Sequence, residues 1–238
     1  MQAARSIALF VLASALLAGC AAQDWRDVSG VLTGDSGEPD TRTVAAGLKE
    51  ALRVGARRTV DNASREGGYL DNSEIRISLP SEFESMANTL RRIGLGGQLD
   101  NLEARMNRAA EKAAAEATPV FVDAISNMSF ADAREVLSGG DTAATDYLRG
   151  ATSGELRTRY SPIVEKQLQD LGVVQLYESL HDRYQRIPMM PPLEFTPRDY
   201  VTDRALDGLF KLLADEEKKI RENPAARTTA LLRKVFGQ

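Results

Sequence analysis

The sequence predicts an all-α protein, a single bundle of about nine helices. From Thr43 onward, apolar residues recur at three- and four-residue spacing, which places them on one face of a helix. Capping residues, glycines and prolines divide this pattern into pieces of helix length. Only Ile75, Ile77 and Leu79 alternate with polar residues as a strand does, and this stretch is too short to stand alone.

The first 19 residues have the features of a secretory signal peptide. Arg5 provides a positive charge, and the apolar run Ile7–Ala18 follows it. As a helix this run would be about 18 Å long, too short for a bilayer core of about 30 Å. We therefore expect an exported protein from which residues 1–19 are removed.

The end of this segment, Leu17-Ala18-Gly19-Cys20, resembles a bacterial lipobox. The resemblance implies cleavage before Cys20, acylation of the cysteine with chains such as palmitate, and anchoring in a membrane. Ala21 after the cysteine implies sorting to the outer membrane. We therefore expect a lipid-anchored protein of the cell envelope that faces the periplasm.

Residues 20–42 are expected to form the lipidated cysteine and a flexible tether, since glycine, aspartate and serine are frequent there. The all-α domain then occupies residues 43–238. Cys20 is the only cysteine in the sequence. No disulfide is therefore expected to brace the domain, and its stability has to come from packing.

The first helix of the domain is predicted from one apolar face and ends at Gly67-Gly68. That face consists of Val44, Leu48, Ala51, Leu52, Ala56 and Val60. After the strand-like stretch, Pro80 interrupts the chain, and Ser81 with Glu84 predicts a capping box for the next helix. Gly94 stands where a helix-terminating glycine is expected.

The longest periodic segment begins at Leu99. Its stripe contains Leu99, Leu102, Met106, Ala109, Ala113, Ala117, Val120 and Ala124. The small alanines allow another helix to approach closely, and Pro119 predicts a kink. Ser129 and Asp132 predict a capped short helix that ends at Gly139-Gly140.

Three helix starts are predicted between residues 141 and 171. The start signals are Asp141, Thr152 with Glu155, and Ser161-Pro162. We therefore expect several short helices here rather than one long helix.

Two longer helices follow and are separated by a crossover. Gly172 precedes a helix from Val173 to about Ile187, and the run Pro188–Pro192 cannot be helical. A long helix starts at Thr196-Pro197 and stops at Asn223-Pro224, and a final helix follows.

Composition excludes several classes of function. Lys and Arg number 30 against 34 Asp and Glu, a formal net charge of −4, which argues against nucleic acid as a partner. His181 and Cys20 are the only histidine and cysteine. Zinc sites of cysteine and histidine, di-iron bundles and Cys–His dyads therefore cannot be assembled, and we expect no metal and no cofactor.

A catalytic function would have to rest on carboxylates. Glu178-Ser179 invites comparison with the all-α lytic transglycosylases, but the Gly- and Gln-containing motif around their glutamate is missing. His181 beside Asp182 is interpreted as a helix-packing residue rather than a general base. The sequence offers no support for catalysis but does not exclude it.

Asn107, Arg108 and Glu111 form a first polar cluster. Asn107 and Glu111 are four residues apart and share one helical face, with Arg108 alongside. The cluster is interpreted either as a site for a polar headgroup or as a structural tie between helices.

Arg221, Arg227 and Thr228 form a second polar cluster around the predicted helix start at Asn223-Pro224. The free N–H groups of such a start suit a phosphate or a carboxylate. The alternative is a solvated charge run in which Glu217 pairs with Arg221.

Several stretches of the domain resemble one known family. They are Gly47–Leu52, Asn107–Glu111, Asp141–Tyr147, Tyr200–Phe210, Ile220–Thr229 and Lys234–Gly237. Together they resemble a proteobacterial family of exported proteins known as domain of unknown function 4197, over about Val44 to Gly237. The resemblance implies an exported, all-helical, single-domain protein, and it implies no activity.

The favoured hypothesis is a non-catalytic interaction or scaffold module that holds another envelope protein or the cell wall. The alternative is a carrier with a cavity for a lipid or another amphiphile, in which Arg108 or Arg227 faces the headgroup. The apolar crossover Ile187–Phe195 fits either an adaptable groove or a plug for the bundle end. An apolar cavity above about 300 Å³ would favour the carrier. An enzyme acting on cell-wall glycan is the weakest hypothesis.

Overall fold

The computed structural model describes residues 41–189 and 195–222. Within them the chain forms eight α-helices, one short 3-10 helix and no β-strand. The helices are α1 (Thr41–Ser64), α2 (Glu84–Arg92), α3 (Gly96–Ala114), α4 (Ala117–Asn127), α5 (Phe130–Ser138), α6 (Ala143–Asp170), α7 (Val173–Gln185) and α8 (Pro197–Glu222), with the 3-10 helix (Ser81–Phe83) before α2. The predicted all-α class is confirmed, and the number of helices is close to the predicted nine.

Several predicted features lie outside the described residues. They are the signal peptide, the lipobox, nearly all of the tether, residues 190–194 of the crossover, and the final helix. Within the described ranges, no helix is both long enough and apolar enough to cross a membrane.

Helix α3 lies at the centre of the bundle and packs against α1, α6 and α8. Its buried stripe includes Ala109, Ala110, Ala113 and Ala114, all of which are fully excluded from solvent. Because alanine has only a methyl side chain, neighbouring helices can approach α3 closely, as the sequence predicted. Side chains from α1, α2, α4, α6, α7 and α8 join α3 in one continuous apolar core.

The long periodic segment is divided into α3 and α4, with the break at residues 115 and 116. Pro119 is the third residue of α4. A proline ring collides with the carbonyl four residues before it, here that of Ala115, so a straight helix cannot continue through this point. The predicted disruption is confirmed, and it lies about one turn before the proline.

Helix α6 is continuous over 28 residues, so the prediction of several short helices here is wrong. Thr152 does not start a helix, because its hydroxyl donates to the carbonyl of Leu148 one turn earlier at 2.6 Å. Pro162 lies inside the helix. Buried Leu148, Leu156 and Val164 hold the helix against the core on both sides of these residues, so tertiary packing overrides the local start signals.

Other helix ends follow the sequence signals. Ser129 and Asp132 form the predicted capping box of α5. Gly94 has a φ of +84° and Gly172 a φ of +66°, the left-handed conformation that ends a helix. The capping box predicted from Ser81 and Glu84 does not form, because α2 starts at Glu84 itself, with Phe83 as its N-cap.

The chain between α1 and the 3-10 helix runs across the bundle without forming a strand. The alternation in this segment is real, since Ile75 and Ile77 are buried while Arg76 and Ser78 are exposed. The segment has no neighbouring strand, because the elements beside it are the helices α3 and α8.

Candidate functional site

A row of polar side chains on α3 takes the place of a neighbouring strand. Glu103, Asn107 and Glu111 are spaced four residues apart and therefore lie along one helical face. The main-chain N–H of Ile77 donates to Asn107 Oδ1 at 2.8 Å, and Asn107 Nδ2 donates to the Ile77 carbonyl at 2.8 Å. The N–H of Leu79 donates to Glu103 Oε1 at 3.1 Å. Side chains of α3 thus provide hydrogen-bond partners for the main-chain groups of Ile77 and Leu79 that face the helix.

Glu111 holds the beginning of the same segment. Its Oε1 accepts hydrogen bonds from the N–H groups of Tyr69 at 3.2 Å and Leu70 at 3.3 Å. Its Oε2 accepts from Arg108 Nη1 at 3.0 Å, and Arg108 also pairs with Glu66. The hydrogen bond from Arg108 lowers the pKa of Glu66, and the two carboxylates raise the pKa of Arg108.

The structure therefore brings the predicted cluster of Asn107, Arg108 and Glu111 together, and each of the three makes an intramolecular tie. Asn107 and Glu111 are nearly inaccessible to solvent. The row could have been found from the sequence, because Glu103, which was not predicted, continues the four-residue spacing of the other two polar residues.

Arg221 lies in a different environment, at the start of α6. Glu217 accepts hydrogen bonds from the N–H groups of Ala144 at 2.9 Å and Thr145 at 2.8 Å, and from the Thr145 hydroxyl at 2.8 Å. Arg221 donates to Glu217 at 2.8 Å and to the carbonyl of Val136 at 2.8 Å. Arg227 and Thr228 lie outside the described residues.

The predicted pairing of Glu217 with Arg221 is thus present, but the pair is not a solvated surface run. The side chains of Glu217 and Arg221 are only 7% and 13% exposed. Glu217 caps α6 from another helix, while the predicted cap Asp141 is exposed and Thr142, the N-cap residue, makes no side-chain cap bond. Because Glu217 lies 73 positions from Ala144 in the sequence, no local sequence pattern could predict that it caps α6.

The remaining candidates occupy packing positions. His181 stacks on Tyr177, with ring centroids 5.6 Å apart, and Glu178 is exposed. Phe195 from the crossover packs against Phe83 at 5.0 Å and against Tyr200 at 5.4 Å between ring centroids. This part of the crossover covers the bundle end, whereas Met189 is 99% exposed.

The candidate functional site is a groove on the outer side of the same segment, between residues 74–81 and the turns of α8 from Tyr200 to Lys211. We call it the α8 groove, and its volume is about 440 Å³. Tyr200 spans one end, where its hydroxyl donates to the Ser78 carbonyl at 2.7 Å. Sequence reasoning did not predict this groove.

Gly208 lies in the α8 wall of the groove, where α8 packs against Tyr69 and Ile75. A Cβ atom on Gly208 would lie 2.8 Å from the Tyr69 ring and 3.1 Å from Ile75 Cβ, so only glycine permits this approach of α8. The Tyr69 hydroxyl fixes the contact by donating to the Ala205 carbonyl at 2.6 Å. Burial, and then the charge of Glu111, raise the pKa of Tyr69, so this hydroxyl keeps its proton.

Charged side chains line the α8 groove. Lys211 pairs with Glu74 at 3.1 Å and with Asp215 at 2.7 Å. These carboxylates raise the pKa of Lys211, so it remains a cation. Arg204 lies over the Tyr200 ring at 5.4 Å from its centroid. Such a lining suits a polar or charged partner.

Comparison with known proteins identifies one family. Residues 38–237 match the family model described as "Protein of unknown function (DUF4197)". The search of curated proteins and the search of solved structures found no match. The match extends over the whole described bundle.

Proposed function

The chain belongs to the DUF4197 family, and from its own geometry we propose that it is a non-catalytic interaction module that binds a partner polypeptide in the α8 groove. The observation that carries this proposal is the groove itself. It is an open depression of about 440 Å³, within the usual size range of binding sites. One wall is the segment of residues 74–81, and the other is α8, whose opposite face is buried in the core.

The apolar hollows support an interaction module better than a carrier of lipids. A hollow lined by Leu48, Leu52 and Leu213 measures about 20 Å³, and one lined by Val44, Phe130 and Leu137 measures about 90 Å³. Both are well below the roughly 300 Å³ at which ligand sites begin. An open depression beside Arg108 measures about 290 Å³, but Arg108 there is already paired with Glu66 and Glu111.

We further propose that the module is a lipoprotein of the outer membrane, anchored through Cys20 and facing the periplasm. The support is the lipobox-like Leu17-Ala18-Gly19-Cys20 followed by Ala21. Labelling growing cells with a palmitate analogue should modify the full chain, and Cys20→Ser should abolish the label. Equal labelling of the two proteins would contradict anchoring at this cysteine.

Photo-crosslinking tests binding in the groove. A photoreactive amino acid replaces Asp207, which lines the groove, in the full-length protein in cells. The control replaces Asp170 at the end of α6, because both aspartates are exposed and paired with a basic residue. We expect a discrete, protease-sensitive adduct from position 207 alone.

Two results would contradict the proposed function. An adduct that resists proteases and contains glycan or lipid would identify a non-polypeptide partner. Equal adducts from positions 207 and 170 would show that the groove is not selective.

A further inference from the structure

The main chain on the groove side of residues 76–78 has free hydrogen-bonding groups. Both main-chain groups of Ile77 point toward Asn107 on α3. In a planar trans peptide the C=O and the N–H point in opposite directions. The Arg76 carbonyl and the Ser78 N–H share peptide planes with Ile77, so they point away from α3 and toward the α8 groove. The Arg76 N–H donates to the Asn72 carbonyl at 2.8 Å. The hydrogen bond from Tyr200 to the Ser78 carbonyl supports this direction.

Two of these groups have no partner. Among the described residues, neither the Arg76 carbonyl nor the Ser78 N–H makes a hydrogen bond. A carbonyl and an N–H two residues apart on one edge match the pattern that an added strand uses. The edge is protected on its α3 side and open on its α8 side.

The groove also contains one positive charge without an acidic partner. Asp207 pairs with Arg149 at 3.7 Å, and Arg76 pairs with Glu103 at 3.6 Å. Arg204 forms no ion pair within the described part of the chain, and its contact is the face of Tyr200. A guanidinium held on an aromatic ring is well placed to bind a carboxylate.

We infer that the α8 groove binds an extended segment of a partner polypeptide, which pairs with the main chain of Arg76 and Ser78 and places an aspartate or glutamate side chain at Arg204. This inference rests on the proposed function and specifies its ligand. The main chain of such a segment requires an open main-chain edge, and its acidic side chain requires a cation without an ion-pair partner. A helical peptide would leave the free edge unused, because its own main-chain groups are paired within the helix.

The test starts with random peptides displayed on phage and selected on the purified full-length protein. We expect the enriched peptides to share an acidic residue. Arg204→Gln should raise the Kd of a selected peptide about tenfold or more, since a charge-assisted hydrogen bond is lost. Arg204→Lys should restore part of the affinity, and the control Arg183→Gln, an exposed arginine on α7, should leave it unchanged.

A scan of N-methyl groups along the selected peptide tests the pairing without altering the protein. Methylation removes one amide donor at a time. We expect methylation of one amide, the one that donates to the Arg76 carbonyl, to weaken binding about tenfold, and methylation of its two neighbours to have little effect, because adjacent amides of an extended chain face opposite edges. Protection of the Ser78 amide from hydrogen exchange should accompany binding.

The outcomes separate this inference from the proposed function. No enrichment of acidic peptides, no effect of Arg204→Gln, or an N-methyl scan without a sensitive amide flanked by insensitive ones would overturn the inference. If crosslinking at position 207 still yields a polypeptide adduct, the interaction module stands with a different binding mode. If that adduct is also absent, both proposals fail.

Discussion

Asn107 shows how one side chain can replace a strand. Its amide group has a donor and an acceptor, and both bind the main chain of Ile77. A carboxylate at this position could only accept, and an apolar residue could do neither. The residue is fully buried, so water cannot take over its role.

Asn107→Leu keeps the approximate size of the side chain and removes both hydrogen bonds to Ile77, together with the one to the Glu103 carbonyl. We expect a loss of about 2–4 kcal/mol in the free energy of unfolding, since each buried main-chain group left without a partner costs about 1–3 kcal/mol. Denaturant unfolding measures this value. Asn88→Leu, at an exposed position on α2, is the matched control, and an equal loss in both variants would contradict the assignment.

Asp132 makes the cap of α5 sensitive to pH. The hydrogen bonds from the Ser129 hydroxyl and main-chain N–H lower the pKa of Asp132 in the folded state. A lowered folded-state pKa stabilises the protein above the ordinary carboxyl pKa, and this stabilisation is lost as the pH falls through the folded value. The Asp132→Ala variant should therefore melt at a lower temperature than the natural protein near pH 7. The difference between the two melting temperatures should be smaller near pH 2.5. Thermal unfolding at both pH values measures this difference. An equal difference at both pH values would show that the Asp132 carboxylate does not make stability depend on pH.

At the scale of elements, α6 depends on α8 for its start. Four main-chain N–H groups at a helix start have no partner within the helix, and Glu217 binds two of them, at Ala144 and Thr145. Its negative charge also suits the positive end of the helix dipole. The cap therefore couples the start of α6 to the packing of α8.

Glu217→Gln should lower the free energy of unfolding by about 2–3 kcal/mol, because the neutral amide has one acceptor oxygen where the buried carboxylate has two, and these two accept from Ala144, Thr145 and Arg221. Faster hydrogen exchange at Ala144 and Thr145 should locate the defect. Glu222→Gln, in an exposed i,i+4 pair with Lys218, should change stability by less than about 0.5 kcal/mol. Similar losses in both variants would count against the capping role.

Substituting alanine for two glycines within helices should change the stability of the protein in opposite directions. Nothing lies within 4 Å of a Cβ on Gly154 of α6, so Gly154→Ala should stabilise by about 0.5–1 kcal/mol. At Gly208 of α8 the new methyl group would meet Tyr69 and Ile75, so Gly208→Ala should destabilise by about 1–3 kcal/mol. Thermal unfolding compares them, and changes of the same sign would contradict the close approach at Gly208.

At the scale of the whole molecule, one core joins seven of the eight described helices. Buried aromatic residues link distant parts of the chain, since Phe121 on α4 packs against Phe210 on α8 at 5.9 Å between ring centroids. The Tyr160 hydroxyl of α6 likewise donates to the Ala114 carbonyl of α3 at 3.2 Å. The described helices therefore share their stabilising contacts.

The bundle should accordingly unfold in one cooperative step. Helix content followed by far-ultraviolet circular dichroism and tyrosine packing followed by near-ultraviolet signals should have the same midpoint. Two separated midpoints would show that part of the bundle folds independently of this core.

The fold was more predictable than the candidate site. Periodicity identified the buried faces of α1 and α3, and glycines identified the ends of α2 and α6, because those signals act over a few residues. The α8 groove has no such signal. It is formed where Gly208 lets α8 pack against Tyr69 and Ile75 and where Tyr200 bonds to Ser78 across the groove, and these residues are distant in the chain.

The sequence by itself determined the all-α class, most of the helix positions, the buried alanine stripe of α3 and the cap formed by Ser129 and Asp132. These features depend on side-chain spacing and on conformational preferences within one or two turns. Only the tertiary structure decided that α6 continues through Pro162, that Glu217 caps it, and that Asn107 holds the segment beside the groove. Such features depend on hydrogen bonds and contacts between residues far apart in sequence, which form only when the core brings them together.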